Sequence, residues 1–235
     1  MRVLLVDLET SGLSWDEGHR VVEVAAALYD TKYASVIEQF SALIKHHENG
    51  AEHINGIPVW LLMEQGDEPA PVWDRMLRLS SEAECYVAHR AEFDRGFTEK
   101  SVTECNAGVL ENWDPAKPWV CSKSDIEWPN KLRGDHLVQV ALGLGLGVSA
   151  AHRALVDVDT MARCFTRLAQ MGIELEPLFR RAMRPKTRVV ALVSYDQRQI
   201  AKDAGFFWDD KRREWYRAMP EEDVAALPFR AVVRL

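Results

Sequence analysis

The sequence lacks the features that mark secreted, membrane-spanning and zinc-ribbon proteins. Its 235 residues include four cysteines that stand far apart without a Cys-x-x-Cys pair: Cys85, Cys105, Cys121 and Cys164. This pattern favours reduced thiols over a disulfide framework. No apolar run approaches the roughly 18–20 residues that a membrane-spanning helix needs, and the N-terminus reads as a strand rather than a signal peptide. We therefore expect a cytoplasmic protein with no membrane partner.

The sequence also has no excess of positive charge. Its formal net charge is −7, which argues against a broad basic face that coats a nucleic-acid duplex. The charge is unevenly placed, because residues 184–235 carry 11 Lys/Arg and 8 Asp/Glu, whereas residues 1–183 carry 18 and 28. An acidic segment at 1–183 followed by a mildly basic segment at 184–235 is compatible with an acidic metal site and a separate nucleic-acid-binding surface.

The apolar runs and turn residues predict an α/β domain with a mixed sheet. Three strands joined as a meander come first, and two short strands then alternate with helices. The predicted strands cover residues 2–8, 21–29, 35–44, 84–88 and 119–121. The predicted helices lie within 56–80 with a break at 66–71, from about 91 onward, at 135–144 and at 153–170.

A domain boundary is predicted near residues 180–186, which separates a main domain at 1–180 from a small α+β domain at 186–235. In the small domain we expect strands at 189–193, 214–217 and 230–235 and helices at 197–204 and 220–227. Phe206, Trp208 and Trp215 either fill its core or offer stacking surfaces for bases.

Acidic residues follow the first predicted strand and recur beside later ones. Asp7 and Glu9 are two residues apart, so an extended strand presents them on the same face. Asp94 and Asp157 lie on helices that begin at the carboxyl ends of the sheet, where functional groups of α/β folds collect. Taken singly, these residues also fit a solvated strand end, a helix cap or a surface helix. If they converge, their oxygen ligands select two Mg²⁺ or Mn²⁺ ions, about 4 Å apart in phosphodiester hydrolysis.

Three stretches together are more specific than any one of them. They are VDLETSGL at 6–13, VAHRAEFD at 87–94 and HRALVD at 152–157, and they closely resemble the three exonuclease motifs of the DEDDh, or DnaQ-like, 3′–5′ exonucleases. The resemblance covers about residues 1–170. It implies a ribonuclease-H-like mixed five-stranded sheet flanked by helices and a two-metal mechanism.

The resemblance also implies roles for individual residues. Asp7 would bridge both ions, Glu9 and Asp157 would complete the site that holds the attacking water, and Asp94 would hold the second ion. His152 would be the general base, which suits the pKa range of histidine. The residues implied to contact the substrate are Thr10, Leu13, Asn55, Ile57 and His89. One departure is Arg90, where the family usually has Asn.

The small domain supplies separate candidates. Lys202, Arg213 and Arg217 are candidates for phosphate contacts, because positions that flank a small core tend to be exposed. Deleting 186–235 is expected to weaken binding to longer strands.

The sequence thus predicts a metal-dependent 3′–5′ exonuclease that releases nucleoside 5′-monophosphates from single-stranded or frayed DNA 3′ ends. An exoribonuclease with the same site remains an alternative. So does a non-catalytic nucleic-acid-binding or polymerase-associated subunit, and a homodimer or a polymerase is a possible partner.

Overall fold

The computed structural model describes residues 1–105, 108, 111–129, 136–149 and 152–234. The chain divides into two compact units, Met1–Met183 and Arg184–Leu235. Each unit has its own sheet and its own apolar core. None of the described helices is both long enough and apolar enough to span a membrane.

The first unit is built on a mixed five-stranded sheet, as predicted. Its strands are β1 (Arg2–Thr10), β2 (Val21–Asp30), β3 (Ser35–Leu43), β4 (Tyr86–Ala88) and β5 (Trp119–Cys121). The strand order is β3-β2-β1-β4-β5. The first three strands pair antiparallel, whereas β4 and β5 join in parallel. The carboxyl ends of β1, β4 and β5 therefore lie at one edge of the sheet.

Helices cover both faces of this sheet. They are α1 (Glu52–Asn55), α2 (Val59–Gln65), α3 (Pro69–Ser81), α4 (Ala91–Glu104), α5 (Leu137–Gly143), α6 (Ala154–Gln170) and α7 (Leu175–Ala182). The break predicted at 66–71 is shorter, since Pro69 fits the first turn of α3, where its missing N–H costs nothing. The sequence did not predict α1 or α7. The helix predicted at 135–144 starts at residue 135, which lies outside the described residues.

Alternation along β1 sorts its side chains between two cores. Val3 and Leu5 pack in the core that contains Phe165 of α6, and the intervening residues pack in the core beneath α3 and α4. Asp7 and Glu9 continue the row of Val3 and Leu5. The same row that fills the core under α6 therefore ends in two carboxylates on the side of that helix.

The second unit is a four-stranded antiparallel sheet with one short helix. Its elements are β6 (Thr187–Ala191), α8 (Arg198–Asp203), β7 (Phe207–Asp209), β8 (Glu214–Met219) and β9 (Ala231–Arg234), in the sheet order β7-β8-β6-β9. The segment predicted as a helix at 220–227 is a 3₁₀ helix, Glu221–Ala226. The short strand β7 was not predicted.

The core of this sheet is small and takes only part of the aromatic cluster. Phe206 is 3% exposed and lies in the core with Val189. Trp215 packs partly buried against that core. Trp208 is 42% exposed and lies outside it, so the expectation that Trp208 fills the core is wrong. One buried ring suffices because α8 and the 3₁₀ helix contribute apolar side chains of their own.

Candidate active site

The end of β1 carries the first two carboxylates of the site. Oxygens of Asp7, Glu9 and Asp157 lie within 4.8 Å of one another. This is the single group of potential metal ligands that the described residues form. The period of two along β1 brings Asp7 and Glu9 to one face, and α6 packs on that face with Asp157 in its first turn. The predicted convergence of these three residues is present in the structure.

The segment before α6 is held in an unusual backbone conformation. His152 has φ of +62°, a region that residues other than glycine seldom adopt. Its backbone N–H donates to Oδ2 of Asp157 at 3.2 Å, and its side chain is exposed. This bond ties the orientation of the Asp157 carboxylate to the position of the imidazole. Residues 150 and 151, just before it, lie outside the described residues.

Asp94 approaches from the opposite side of the sheet. It lies in the first turn of α4 and is 4% exposed. Its charge raises the pKa of Asp7, an effect second only to burial, so the Asp94 carboxylate lies near that of Asp7. Three of the four predicted metal ligands therefore form one group at the end of β1, and Asp94 lies beside that group.

The electrostatics of this cluster are unfavourable without added positive charge. Burial first, and neighbouring carboxylates second, raise the pKa of Asp7 well above its usual value. The same causes raise the pKa of Glu9 to about 8, and burial raises the pKa of Asp94 to about 7. Four such groups cannot all ionise near neutral pH unless a cation joins them. Oxygen ligands of this kind suit Mg²⁺ and Mn²⁺, so the residues present fit the expected ions.

A buried glutamate beside the cluster was not predicted. Glu23 of β2 lies directly opposite Glu9 of β1 and is 2% exposed. It accepts hydrogen bonds from Nε and Nη2 of Arg153 at 3.1 and 3.0 Å, from the backbone N–H of Ala154 at 3.1 Å and from Oγ of Ser41 at 3.1 Å. One carboxylate therefore binds the residue after His152 and the first turn of α6.

A signal for Glu23 was present in the sequence. It is the one charged residue inside the apolar run from Val21 to Tyr29, and an ionised carboxylate is buried only where partners satisfy it. The strand register that places it opposite Glu9 could not be read from the run itself. We infer that Glu23 positions the start of α6, and with it His152 and Asp157.

The predicted substrate-contacting residues separate into two groups. Leu13 is 78% exposed just beyond β1, where its side chain is free to meet a ligand. Asn55 and Ile57 are 2% and 0% exposed, so their side chains offer little surface to a ligand, and their contact with substrate stays a prediction. The Asn55 amide donates to the Thr10 carbonyl at 3.4 Å, and Ile57 packs in a small cluster with Val22. They support the loop after β1 from within.

His89 and Arg90 occupy the turn between β4 and α4. Nδ1 of His89 lies 2.9 Å from Oγ of the buried Ser122, which fixes the ring at the end of β4. The carbonyl of Arg90 accepts the N–H of Phe93 at 2.8 Å, and its guanidinium carbon lies 6.0 Å from the Phe93 ring. Arg90 is exposed. Burial raises the pKa of Asp94, and the positive charge of Arg90 acts in the opposite direction.

The candidates in the second unit differ in their surroundings. Lys202 and Arg213 are exposed. Arg217 donates from Nη1 to the Ala204 carbonyl at 2.7 Å and lies against Gly205, so it closes the end of α8. Arg217 is therefore the least suitable of the three for a phosphate contact.

Two family models match the chain. An exonuclease family model (RNase T) matches residues 4–165, and a domain family of unknown function (DUF8626) matches residues 188–233. No curated protein matches the chain significantly.

Solved structures of nucleases share the fold. Escherichia coli exonuclease I in complex with a dT13 oligonucleotide has a TM-score of 0.62 at 19% identity, over 82% of this chain and 48% of that protein. The nuclease domain of 3′hExo, a DEDDh family member bound to rAMP, has a TM-score of 0.58 at 16% identity, over 74% and 94%. Exonuclease X in complex with 5′-overhanging duplex DNA has a TM-score of 0.52 at 19% identity, over 77% and 99%. At these identities the similarity shows the fold alone, and the match spans about half the length of exonuclease I.

Proposed function

We propose that this chain, which belongs to the exonuclease family defined by the RNase T model, is a metal-dependent 3′–5′ exonuclease acting on single-stranded or frayed DNA ends. The observation that carries the proposal is the convergence of Asp7, Glu9 and Asp157 within 4.8 Å, beside the buried Asp94, whose charge raises the pKa of Asp7 after burial does. Membership of the family confirms the resemblance of the three sequence motifs.

The four carboxylates together would bind two divalent cations. After burial, the charges of Asp94, Asp157 and Glu9 all raise the pKa of Asp7, and Asp7 is therefore the residue that we propose to contact both ions. When bound, such ions neutralise phosphate charge and activate water. The protein contributes a partly buried acidic cluster whose repulsion makes cation binding favourable.

His152 would act as the general base. Its imidazole is exposed beside Asp157, where it can accept a proton from the water that attacks the terminal phosphorus atom. The P–O3′ bond of the penultimate nucleotide then breaks, which releases a nucleoside 5′-monophosphate. The neighbouring Glu23–Arg153 contact restrains the segment that carries the imidazole.

Leu13 and Thr10 would select a strand end. Leu13 is exposed at the end of β1, where it can pack against the last base. The Thr10 hydroxyl donates to the Gly12 carbonyl at 2.7 Å, and the Asn55 amide holds the Thr10 carbonyl. A loop held in this way offers a fixed surface to the terminal nucleotide, as positioning of a reacting group requires.

Cleavage of end-labelled strands tests the proposal. Single-stranded DNA and RNA of one sequence, labelled at the 3′ or the 5′ end, are incubated with Mg²⁺, Mn²⁺ or EDTA. We expect immediate release of a labelled mononucleotide from the 3′-labelled DNA and a descending ladder from the 5′-labelled DNA, both abolished by EDTA.

The matched variants are Asp7→Asn and Asp16→Asn. The Asp16 side chain is 86% exposed and pairs with Lys100, so its loss is expected to leave cleavage unchanged. Cleavage that survives in Asp7→Asn, or no cleavage with either metal, would contradict the proposal. Faster degradation of RNA than of DNA would keep the chemistry and replace the substrate by RNA.

A further inference from the structure

The sheet of the second unit separates its charges by face. Residues directly opposite each other on paired strands share a face, and Asp209 of β7 lies opposite Glu214 of β8. Both carboxylates bind Arg188, at 2.8 and 3.1 Å, and Glu214 also pairs with Arg234 at 3.5 Å. Asp209 and Glu214 are therefore neutralised on one face of the sheet.

The other face of the same hairpin carries two indoles, one packed against the core (Trp215) and one exposed (Trp208). Trp208 lies opposite Trp215, and their ring centroids are 5.5 Å apart. Trp208 is 42% exposed, and its Nε1–H donates to Asp210 at 2.9 Å, which fixes the direction of the ring. Lys202 of α8 places Nζ 5.6 Å from the centre of the Trp215 ring.

The turn that joins β7 to β8 adds a run of cations between the two strands that carry these rings. Lys211, Arg212 and Arg213 are all exposed. In the part of the chain that the structure describes, their side chains form no ion pair. We define the indole surface as Trp208, Trp215, Lys202, Lys211, Arg212 and Arg213.

We propose that the indole surface binds single-stranded nucleic acid. The partner must offer flat rings to stack on an exposed indole and negative charge to meet unpaired lysine and arginine side chains. Unpaired bases linked by phosphates offer both, and stacking on aromatic rings beside a basic groove is how sequence-independent single-strand binders work. The charges support this occupant, because Asp209 and Glu214 lie on the opposite face and Asp210, which binds the Trp208 ring, is outnumbered by the four cations of the indole surface.

This binding site is separate from the proposed cleavage chemistry, since none of its residues belongs to the acidic cluster. It also revises the sequence-based candidates. Lys202 and Arg213 are retained, Arg217 is replaced by Lys211 and Arg212, and Trp208 becomes the central contact.

Fluorescence anisotropy of a 5′-labelled dT16 oligonucleotide tests the proposal with the full chain. Every protein carries Asp7→Asn and the buffer contains EDTA, so that the strand is not degraded and metal ions do not contribute. Trp208→Ala is expected to weaken binding about 10-fold, the loss of one stacked base. Trp208→Phe, which keeps a ring, is expected to restore most of the affinity and shows that the loss is not one of folding.

The cations are tested by salt dependence. The double variant Lys211→Ala with Arg212→Ala is expected to lower the slope of log affinity against log salt by about 1.4, the value for two phosphate contacts on a single strand. Two matched controls are Phe207→Ala, on the opposite face of β7 and 48% exposed, and Arg230→Ala, an exposed cation just before the far edge strand.

Affinity unchanged within twofold in Trp208→Ala, with an unchanged salt slope in the double variant, would overturn the proposal. In that case an acidic protein surface would be the better occupant. Equal weakening by Phe207→Ala or Arg230→Ala would overturn it as well, since the effect would then not belong to the indole surface. Because binding is measured without cleavage, these outcomes are independent of whether the acidic cluster hydrolyses strands.

Discussion

Each of the two sheets places two acidic residues opposite each other across neighbouring strands, Glu9 with Glu23 in the first sheet and Asp209 with Glu214 in the second. Like charges in that position repel and destabilise a sheet. In the second sheet Arg188 bridges both carboxylates. In the first, Arg153 binds Glu23 and leaves Glu9 with the acidic cluster.

The difference appears in the pKa values. Burial and neighbouring carboxylates raise the pKa of Glu9 to about 8, whereas the backbone N–H of Arg212, and then Arg188, lower the pKa of Asp209. An acidic pair that the protein neutralises itself is a structural feature. An acidic group left without its own cation is a binding site for one from outside, which is why we place the chemistry in the first sheet.

The largest expected effect is on cleavage. Asp7→Asn removes the residue surrounded by the other carboxylates and is expected to slow hydrolysis by about 10³-fold, or roughly 4 kcal/mol of transition-state stabilisation. Asp209→Asn, in the neutralised pair, is expected to leave the rate within about twofold. Initial rates on a short 3′-labelled oligonucleotide give the comparison. Similar losses in both variants would remove the distinction between the two sheets.

The next effect is on the stability of the segment that Glu23 holds. Glu23→Ala leaves the Arg153 guanidinium and the Ala154 N–H without their acceptor, which is expected to cost about 2–3 kcal/mol. Glu214→Ala, in the half-buried network of the second sheet, leaves Arg188 paired with Asp209 and is expected to cost about 1 kcal/mol. Hydrogen-exchange mass spectrometry measures the loss of stability in each unit separately.

The same variants distinguish positioning from packing. If Glu23 positions the start of α6, Glu23→Ala also lowers the affinity for Mn²⁺, whereas Glu23→Gln, which still accepts the Ala154 N–H, retains part of it. Unchanged Mn²⁺ affinity in a destabilised Glu23→Ala protein would leave Glu23 a purely structural residue.

The smallest effect is on the pH dependence of stability in EDTA. The pKa of Glu9 is raised on folding, so its contribution is fully present below about pH 4.5 and is lost as the pH rises toward about 8. The melting temperature of the first unit is therefore expected to fall over this range in EDTA and to recover with Mg²⁺. In Glu9→Gln it is expected to fall less steeply, because Asp7 and Asp94, whose pKa values burial also raises, still contribute. Asp209 has a lowered pKa, so its contribution is lost in the opposite direction, as the pH falls through the acid range. A first unit whose melting temperature rises with pH in EDTA would contradict this assignment.

Much of the first sheet could be predicted because β1 and β2 contain long apolar runs that are buried in the structure. The row from Val3 to Glu9 gives both the buried strand and the shared face of the two carboxylates, and the five-residue spacing from His152 to Asp157 places both at the start of α6. The sequence pattern of a single strand or helix is enough to predict which of its own residues share a face.

The missed features depend on pairing between distant segments. Glu23 becomes part of the site only through the register of β2 against β1, and the burial of Ile57 depends on contact with Val22. β7 spans three residues, too few for alternation to be recognised, and the exposure of Trp208 follows from which aromatic residue the small core accepts. The sequence alone does not indicate whether Phe206 or Trp208 is the aromatic residue buried in the core of the second unit.

The most direct test of the central claim is the binding of Mn²⁺ near pH 8, followed by electron paramagnetic resonance and by isothermal titration calorimetry. The account predicts that the wild-type protein and Asp209→Asn bind Mn²⁺ alike, and that Asp7→Asn loses most of this affinity. Equal binding by all three proteins, or no binding by the wild type, would contradict the claim that the carboxylates around β1 form a divalent-cation site.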